Sequence, residues 1–304
     1  SKGDSLLVVG SGEVVKIHIH TKNPGQILDY ALQYGDLYEV QISNMMAQNE
    51  AAAHKNKNEN YPETIVTNTD NNQADTTEAQ NATEFKEYGL VAVAMGEGIA
   101  EVFSSLGVDE VVFGGQTMNP STSDLAEAVS RVPAHNVFIL PNNGNIIMAA
   151  NQVNEVVNDR EVFVIPTKSI PQAIAALLAF NPDNTPETNK KEMSEALAQV
   201  VSGEVTYAVR NSTYGDLAIS EGDILGLVEN KITTTGRDIF EVAKEVLENM
   251  KWREKDLVTI YYGKDMVEED VQVLADWLES ENEDIEVEVY AGKQPLYYYI
   301  LGVE

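Results

Sequence analysis

Three polar segments carry the side chains best suited to meet a ligand. The longest is Gly114-Gly115-Gln116-Thr117-Met118-Asn119-Pro120-Ser121-Thr122, in which Met118 is the one large apolar residue. The two glycines allow close backbone approach, and Pro120 suits the first turn of a helix. Gln116, Thr117, Asn119 and Ser121 add amides and hydroxyls. Such a surface can hold a carboxylate or phosphate without a formal charge, although a capped polar loop between strand and helix would look the same. The second segment is Asn142-Asn143-Gly144-Asn145. Asparagine favours caps and left-handed backbone, which accounts for two of the three amides and leaves one for a ligand. In the third, Thr167 and Lys168 open onto the same edge. Arg210 is placed either to reach that edge from a second lobe or to form a surface ion pair.

Other chemistry is weaker. His18 and His20 alternate with Ile17 and Ile19, so both imidazoles share a strand face, where they form half of a zinc site or an exposed polar face. His54 and His135 have no partner in sequence. Met95-Gly96-Glu97-Gly98 supplies two glycines of a dinucleotide fingerprint, but Glu101 stands at the third and Glu97 would face phosphate, which argues against a nucleotide. Ser-His-Asp, HExxH and phosphate-loop patterns are missing, so no catalytic residue is assigned.

Positioning these loops requires a parallel sheet. Leu90–Ala94, Val111–Phe113, Val137–Leu140 and Val162–Ile165 are short apolar runs, each followed by a helical stretch: 98–106, 123–131, 144–157 and 171–180. Strands apolar on both faces and alternating with helices imply right-handed crossovers. A helix over 186–201 ends this lobe at 88–202. Strands at 205–209, 216–219 and 224–228 then form an antiparallel meander. A helix beginning near Gly236, with Thr235 and Asp238 as its capping box, opens the remainder of a mixed α+β lobe at 203–304. The fold class is thus α/β, with a cleft between lobes as the favoured ligand or partner site. Upstream, 1–50 reads as a small α+β fragment with a hairpin at 6–20, a helix from Pro24 and a strand at 37–42. The Asn-, Thr- and Gln-rich stretch 51–87 reads as a flexible linker.

The chain has 304 residues, 43% of them hydrophobic, and a net charge of −29. That charge repels nucleic acid and anionic membrane surfaces, and no apolar run is long enough for membrane insertion. With no cysteine, disulfides and thiol chemistry are excluded, and a cytoplasmic location is expected. Ser1-Lys2-Gly3-Asp4 is neither a signal peptide nor an initiator, so the chain reads as part of a longer polypeptide.

Gly3-Asp4-Ser5-Leu6-Leu7-Val8-Val9, Val15-Lys16-Ile17-His18-Ile19-His20-Thr21, Asn23-Pro24-Gly25 and Asn44-Met45 resemble the end of the middle domain of the large subunit of bacterial fatty acid kinase, which is a dihydroxyacetone-kinase-like protein. The polar segments at 114–122 and 140–145, with Pro166-Thr167-Lys168-Ser169-Ile170-Pro171-Gln172, resemble its C-terminal domain. The resemblance implies a two-lobed DegV-like fold and a parent enzyme that phosphorylates an acyl chain held by a DegV-like fatty-acid-binding partner. It places ATP and magnesium in a kinase domain before Ser1, leaving this region to dock the partner and to supply contacts of a homodimer. It also implies zinc on His18 and His20, completed by an upstream cysteine beyond this chain. By itself the fragment is expected to hold no cofactor. The rival expectation is an independent phosphatase-like or small-anion-binding enzyme that uses the strand-end loops.

Overall fold

The computed structural model describes residues 4–11, 14–35, 85–115, 119–215 and 217–304, with backbone alone for the first two strands. The chain divides into two compact units, Ser1–Ala82 and Thr83–Glu304.

In the first unit, β1 (Asp4–Ser11) and β2 (Val14–His20) form the expected antiparallel hairpin. Helix α1 (Pro24–Ala31) follows, with proline in its first turn. His18 pairs with Leu7 and His20 with Asp4 across the hairpin, but the imidazoles lie outside the described residues. The same holds for the expected strand at 37–42, for His54, and for 51–84 of the expected linker.

The second unit opens with β3 (Lys86–Ala94), α2 (Glu97–Ser105), β4 (Glu110–Phe113), α3 (Thr122–Arg131) and β5 (Ala134–Leu140). The short helices α4 (Ile147–Asn151) and α5 (Val153–Val156) lead to β6 (Glu161–Val164) and α6 (Ile170–Ala179). The four strands are parallel, in the order β4-β3-β5-β6. Val91, Val93, Val137, Ile139, Val162 and Val164 pack on α3–α5. Alternate residues such as Leu90, Ala92 and Phe138 are buried on the other face. Burial on both faces is why these strands are apolar runs rather than alternating ones.

One helix expected over 144–157 is instead α4 and α5, broken at Gln152. Asparagine and β-branched valine are poor helix formers there, and the Gln152 side chain accepts from Thr122 Oγ1 at 3.1 Å.

After α7 (Pro186–Ala196), the mixed lobe is built from β7 (Val201–Tyr207), β8 (Ser212–Tyr214), β9 (Leu217–Ile219), β10 (Ile224–Val228), β11 (Lys231–Gly236), α8 (Ile239–Asn249), β12 (Leu257–Tyr262), α9 (Glu268–Glu281), β13 (Glu286–Ala291) and β14 (Tyr297–Val303). Its six-stranded sheet runs β11-β10-β7-β14-β12-β13, with only β12 and β13 parallel. The expected meander is corrected: β8 and β9 form a separate hairpin, and β10 pairs with β7 and β11. Thr235 lies in β11, so the cap of α8 is Asp238 itself, which accepts from Glu241 N at 3.0 Å. One face of this sheet packs on α8 and α9 through Val205, Val246, Leu274 and Leu301. No helix among the described residues is long and apolar enough to cross a membrane.

Candidate functional site

Strand order reverses beside β3: the chain goes first to β4 on one side, then to β5 on the other. Ligands of open α/β sheets bind in the crevice outside the strand ends at such a switch point. The loops that border it here follow β3, β4, β5 and β6, the positions expected from sequence. A crevice of about 30 Å³ opens there, lined by Met95, Gly114, Gly115, Asn142, Asn143, Lys168 and Ser169 among others. The mixed lobe closes it with Glu204 and Ile300, which are paired across β7 and β14.

The loops differ in what their polar groups do. Asn142 is buried and adopts φ 59°. Its Nδ2 donates to Val93 O at 2.7 Å, and Thr167 Oγ1 donates to its Oδ1 at 2.7 Å. Both side chains therefore pin the ends of β3, β5 and β6 together. Asn143 Oδ1 accepts from Asn145 N at 2.9 Å, a local turn at the crevice mouth. Ser121 caps α3 in a reciprocal box with Asp124, whose carboxyl is held below its usual range by the Ser121 hydroxyl and backbone N–H. Asn119, Asn145 and Arg210 are exposed and do not line the crevice. Gln116 and Thr117 lie outside the described residues. Gly115 packs closely on the Met95 side chain, since a Cβ there would stand 2.6 Å from Met95 Sδ.

The Met95–Gly98 glycines have a different purpose. A Cβ on Gly98 would lie 1.7 Å from Ala291 O, and Gly96 (φ 129°) abuts Gly292 and Gln294. Ile99 N donates to Gly292 O at 3.2 Å. The backbone between β13 and β14 fills the place a pyrophosphate would need.

Glu204 is a site residue that sequence reading does not find. Along β7, Val205 enters the core of the mixed lobe while Ser202 and Glu204 face the parallel lobe. The Glu204 carboxyl is pushed up to about 7, first by burial and then by the nearby carboxylate of Glu229. Its Oε2 is closed to solvent and has no hydrogen-bond partner. Period-2 alternation assigns Glu204 to the face of Ser202, but not that this face is covered. Among the described residues no group of three or more His, Asp or Glu could hold a metal.

Residues 89–304 match the C-terminal domain of the FakA-like fatty acid kinase family, and residues 1–52 match its middle domain. The chain belongs to the FakA-like family. It is 44% identical over 302 residues to protein YloV of Bacillus subtilis (strain 168), covering 99% of this chain and 51% of that protein. It spans about half the length of the curated relatives it matches. Among solved structures it is similar to a DegV family protein, Cg2579, from Corynebacterium glutamicum, with a TM-score of 0.54 and 13% identity, covering 72% of this chain and 98% of that one. It is also similar to DegV, a fatty acid binding protein from Bacillus subtilis, with a TM-score of 0.50 and 11% identity, covering 72% and 99%. These likenesses establish the DegV-like two-lobed fold of this FakA-like chain.

Proposed function

We propose that this chain is a non-catalytic region of a fatty acid kinase that docks an acyl-carrying DegV-like protein, so that a kinase domain elsewhere in the full-length protein phosphorylates the fatty acid. The observation that carries this reading is the size of the crevice. Its 30 Å³ is far below the roughly 300–1,000 Å³ of small-molecule pockets, so an acyl chain does not fit within it. A DegV-like fold whose strand-end crevice is too small for an acyl chain suits a scaffold that meets a loaded carrier rather than a carrier. Calorimetric titration of the 304-residue chain with a lipid-loaded DegV-like protein is expected to give saturable binding. No association with loaded or empty partner would refute the proposal.

The same reading assigns ATP and magnesium to that kinase domain, zinc to His18 and His20 with residues upstream, and a cytoplasmic location. It also allows a homodimer, which sedimentation of the chain tests directly.

One observation favours a second reading, a phosphatase-like or small-anion-binding enzyme at the strand-end loops. A carboxyl pushed up to about 7, as in Glu204, can exchange a proton with a substrate at neutral pH. Turnover on a phosphate-ester panel, lost in Asn143→Ala and Glu204→Gln, would establish it. Inactivity across the panel would exclude it.

A further inference from the structure

Several groups around Glu204 have their hydrogen bonds elsewhere, while Lys168 and Asn143 also line the crevice. Asn142 Nδ2 is held by Val93 O and the Thr167 hydroxyl by Asn142 Oδ1. At the start of α6, Gln172 N donates to Ser169 Oγ at 3.3 Å and Lys168 N to Gln172 Oε1 at 2.9 Å, while Pro171 has no N–H to offer. No ion pair joins Lys168 to Glu204 among the described residues. Glu229, at the turn between β10 and β11, brings a second carboxylate whose Oε1 accepts from Ser202 N at 2.7 Å. A buried acceptor oxygen thus faces a small crevice while these donors are engaged with other groups. A buried carboxyl in that state is relieved by a proton or by a donor from outside.

We propose that the crevice at Glu204 is a binding site for a single ammonium group, supplied by a free primary amine or by a lysine side chain of another protein. Its volume of about 30 Å³ is that of one water-sized group. A crevice of that size suits the compact head of a tetrahedral ammonium. Glu229 and the chain's net charge of −29 favour a cation over the carboxylate or phosphate that strand-end crevices commonly take, with Lys168 as the one opposing charge among the described lining residues. The inference stands apart from the docking proposal, since free amine can bind whether or not a carrier does.

The test follows the Glu204 carboxyl by carbon-13 NMR of the full chain, titrated across roughly pH 5 to 9. Methylammonium chloride is expected to lower the Glu204 midpoint by about one pH unit at ten times its dissociation constant. Tetramethylammonium chloride at equal ionic strength, which has no N–H to donate, is expected to leave it in place. A Gly-Lys-Gly peptide blocked by N-terminal acetylation and C-terminal amidation distinguishes the sources: a shift with the peptide alone points to a protein lysine, and a shift with methylammonium points to a free amine. Either shift supports the site. If neither probe moves the midpoint, or tetramethylammonium moves it equally, the proposal fails. It fails also if calorimetry shows methylammonium binding unchanged in Glu204→Gln, or if Lys168→Ala abolishes the binding, which would make the chain's own lysine a determinant.

Discussion

The hydroxyl of Ser169, which caps α6, lies 2.6 Å from the hydroxyl of Ser202 in β7. Both residues are buried, so this hydrogen bond ties the parallel lobe to the mixed lobe where water does not compete. Ser169→Ala removes the tie and the cap together and is expected to destabilise the chain by about 2 kcal/mol. Ser202→Ala is expected to cost about 1 kcal/mol, with the double variant less than additive. Urea denaturation of the three variants measures the coupling, and strict additivity would show that the contact is not a working bond.

Gly98 separates a packing role from a nucleotide site. Its replacement by alanine drives Cβ into the Ala291 carbonyl, which cannot move without disturbing β13, so a loss of about 3 kcal/mol or more is expected. Gly144, with open space around it, is expected to accept alanine with a change within about 0.5 kcal/mol. Thermal denaturation checks both. A stable Gly98→Ala protein would overturn the close approach.

The asparagine loop is expected to split in function. Asn142→Ala loses a buried amide and a left-handed position together and should cost about 2–4 kcal/mol. Asn143→Ala should leave stability within about 1 kcal/mol, because its side chain only shapes the turn at Asn145. If Asn143→Ala alone weakens binding of a partner or ligand while the fold persists, the crevice mouth is the contact surface.

Stability should depend on pH through Glu204. Its carboxyl is raised from 4.5 to about 7 in the folded chain, so between those values the folded state holds more protons than the unfolded one. Stability is therefore fully present below pH 4.5 and falls as pH rises through about 7. The loss from this group is at most about 3 kcal/mol. Glu288 on β13, pushed up to about 7 by burial and its acidic neighbours, acts in the same direction. Denaturation of the parent and Glu204→Gln at either end of this window is expected to show a smaller loss in the variant. Identical pH profiles would count against a buried carboxyl at this position.

Much of the architecture is legible in local pattern. Apolar runs such as Leu90–Ala94 and Val137–Leu140 announce strands buried on both faces, and the polar loops after them mark the edge where the crevice lies. Elements without such contrast escape this reading. The β10–β11 hairpin turns at Glu229-Asn230, both with positive φ, a turn usually written with glycine. Its second strand, Lys231–Gly236, is largely threonine and reads in sequence as the approach to a helix.

By itself the sequence determined the alternation of strands and helices in the parallel lobe, the polar character of the crevice loops and the resemblance to a fatty acid kinase, because each depends on residues adjacent in the chain. Tertiary structure alone decided what those residues do. Only the mixed lobe's approach shows that Gly98 makes room for a backbone, that Asn142 and Thr167 hold strands together, and that Glu204 lies unpartnered in the crevice. Burial and hydrogen-bond satisfaction are set by segments far apart in the chain, and no local pattern encodes what will cover a face.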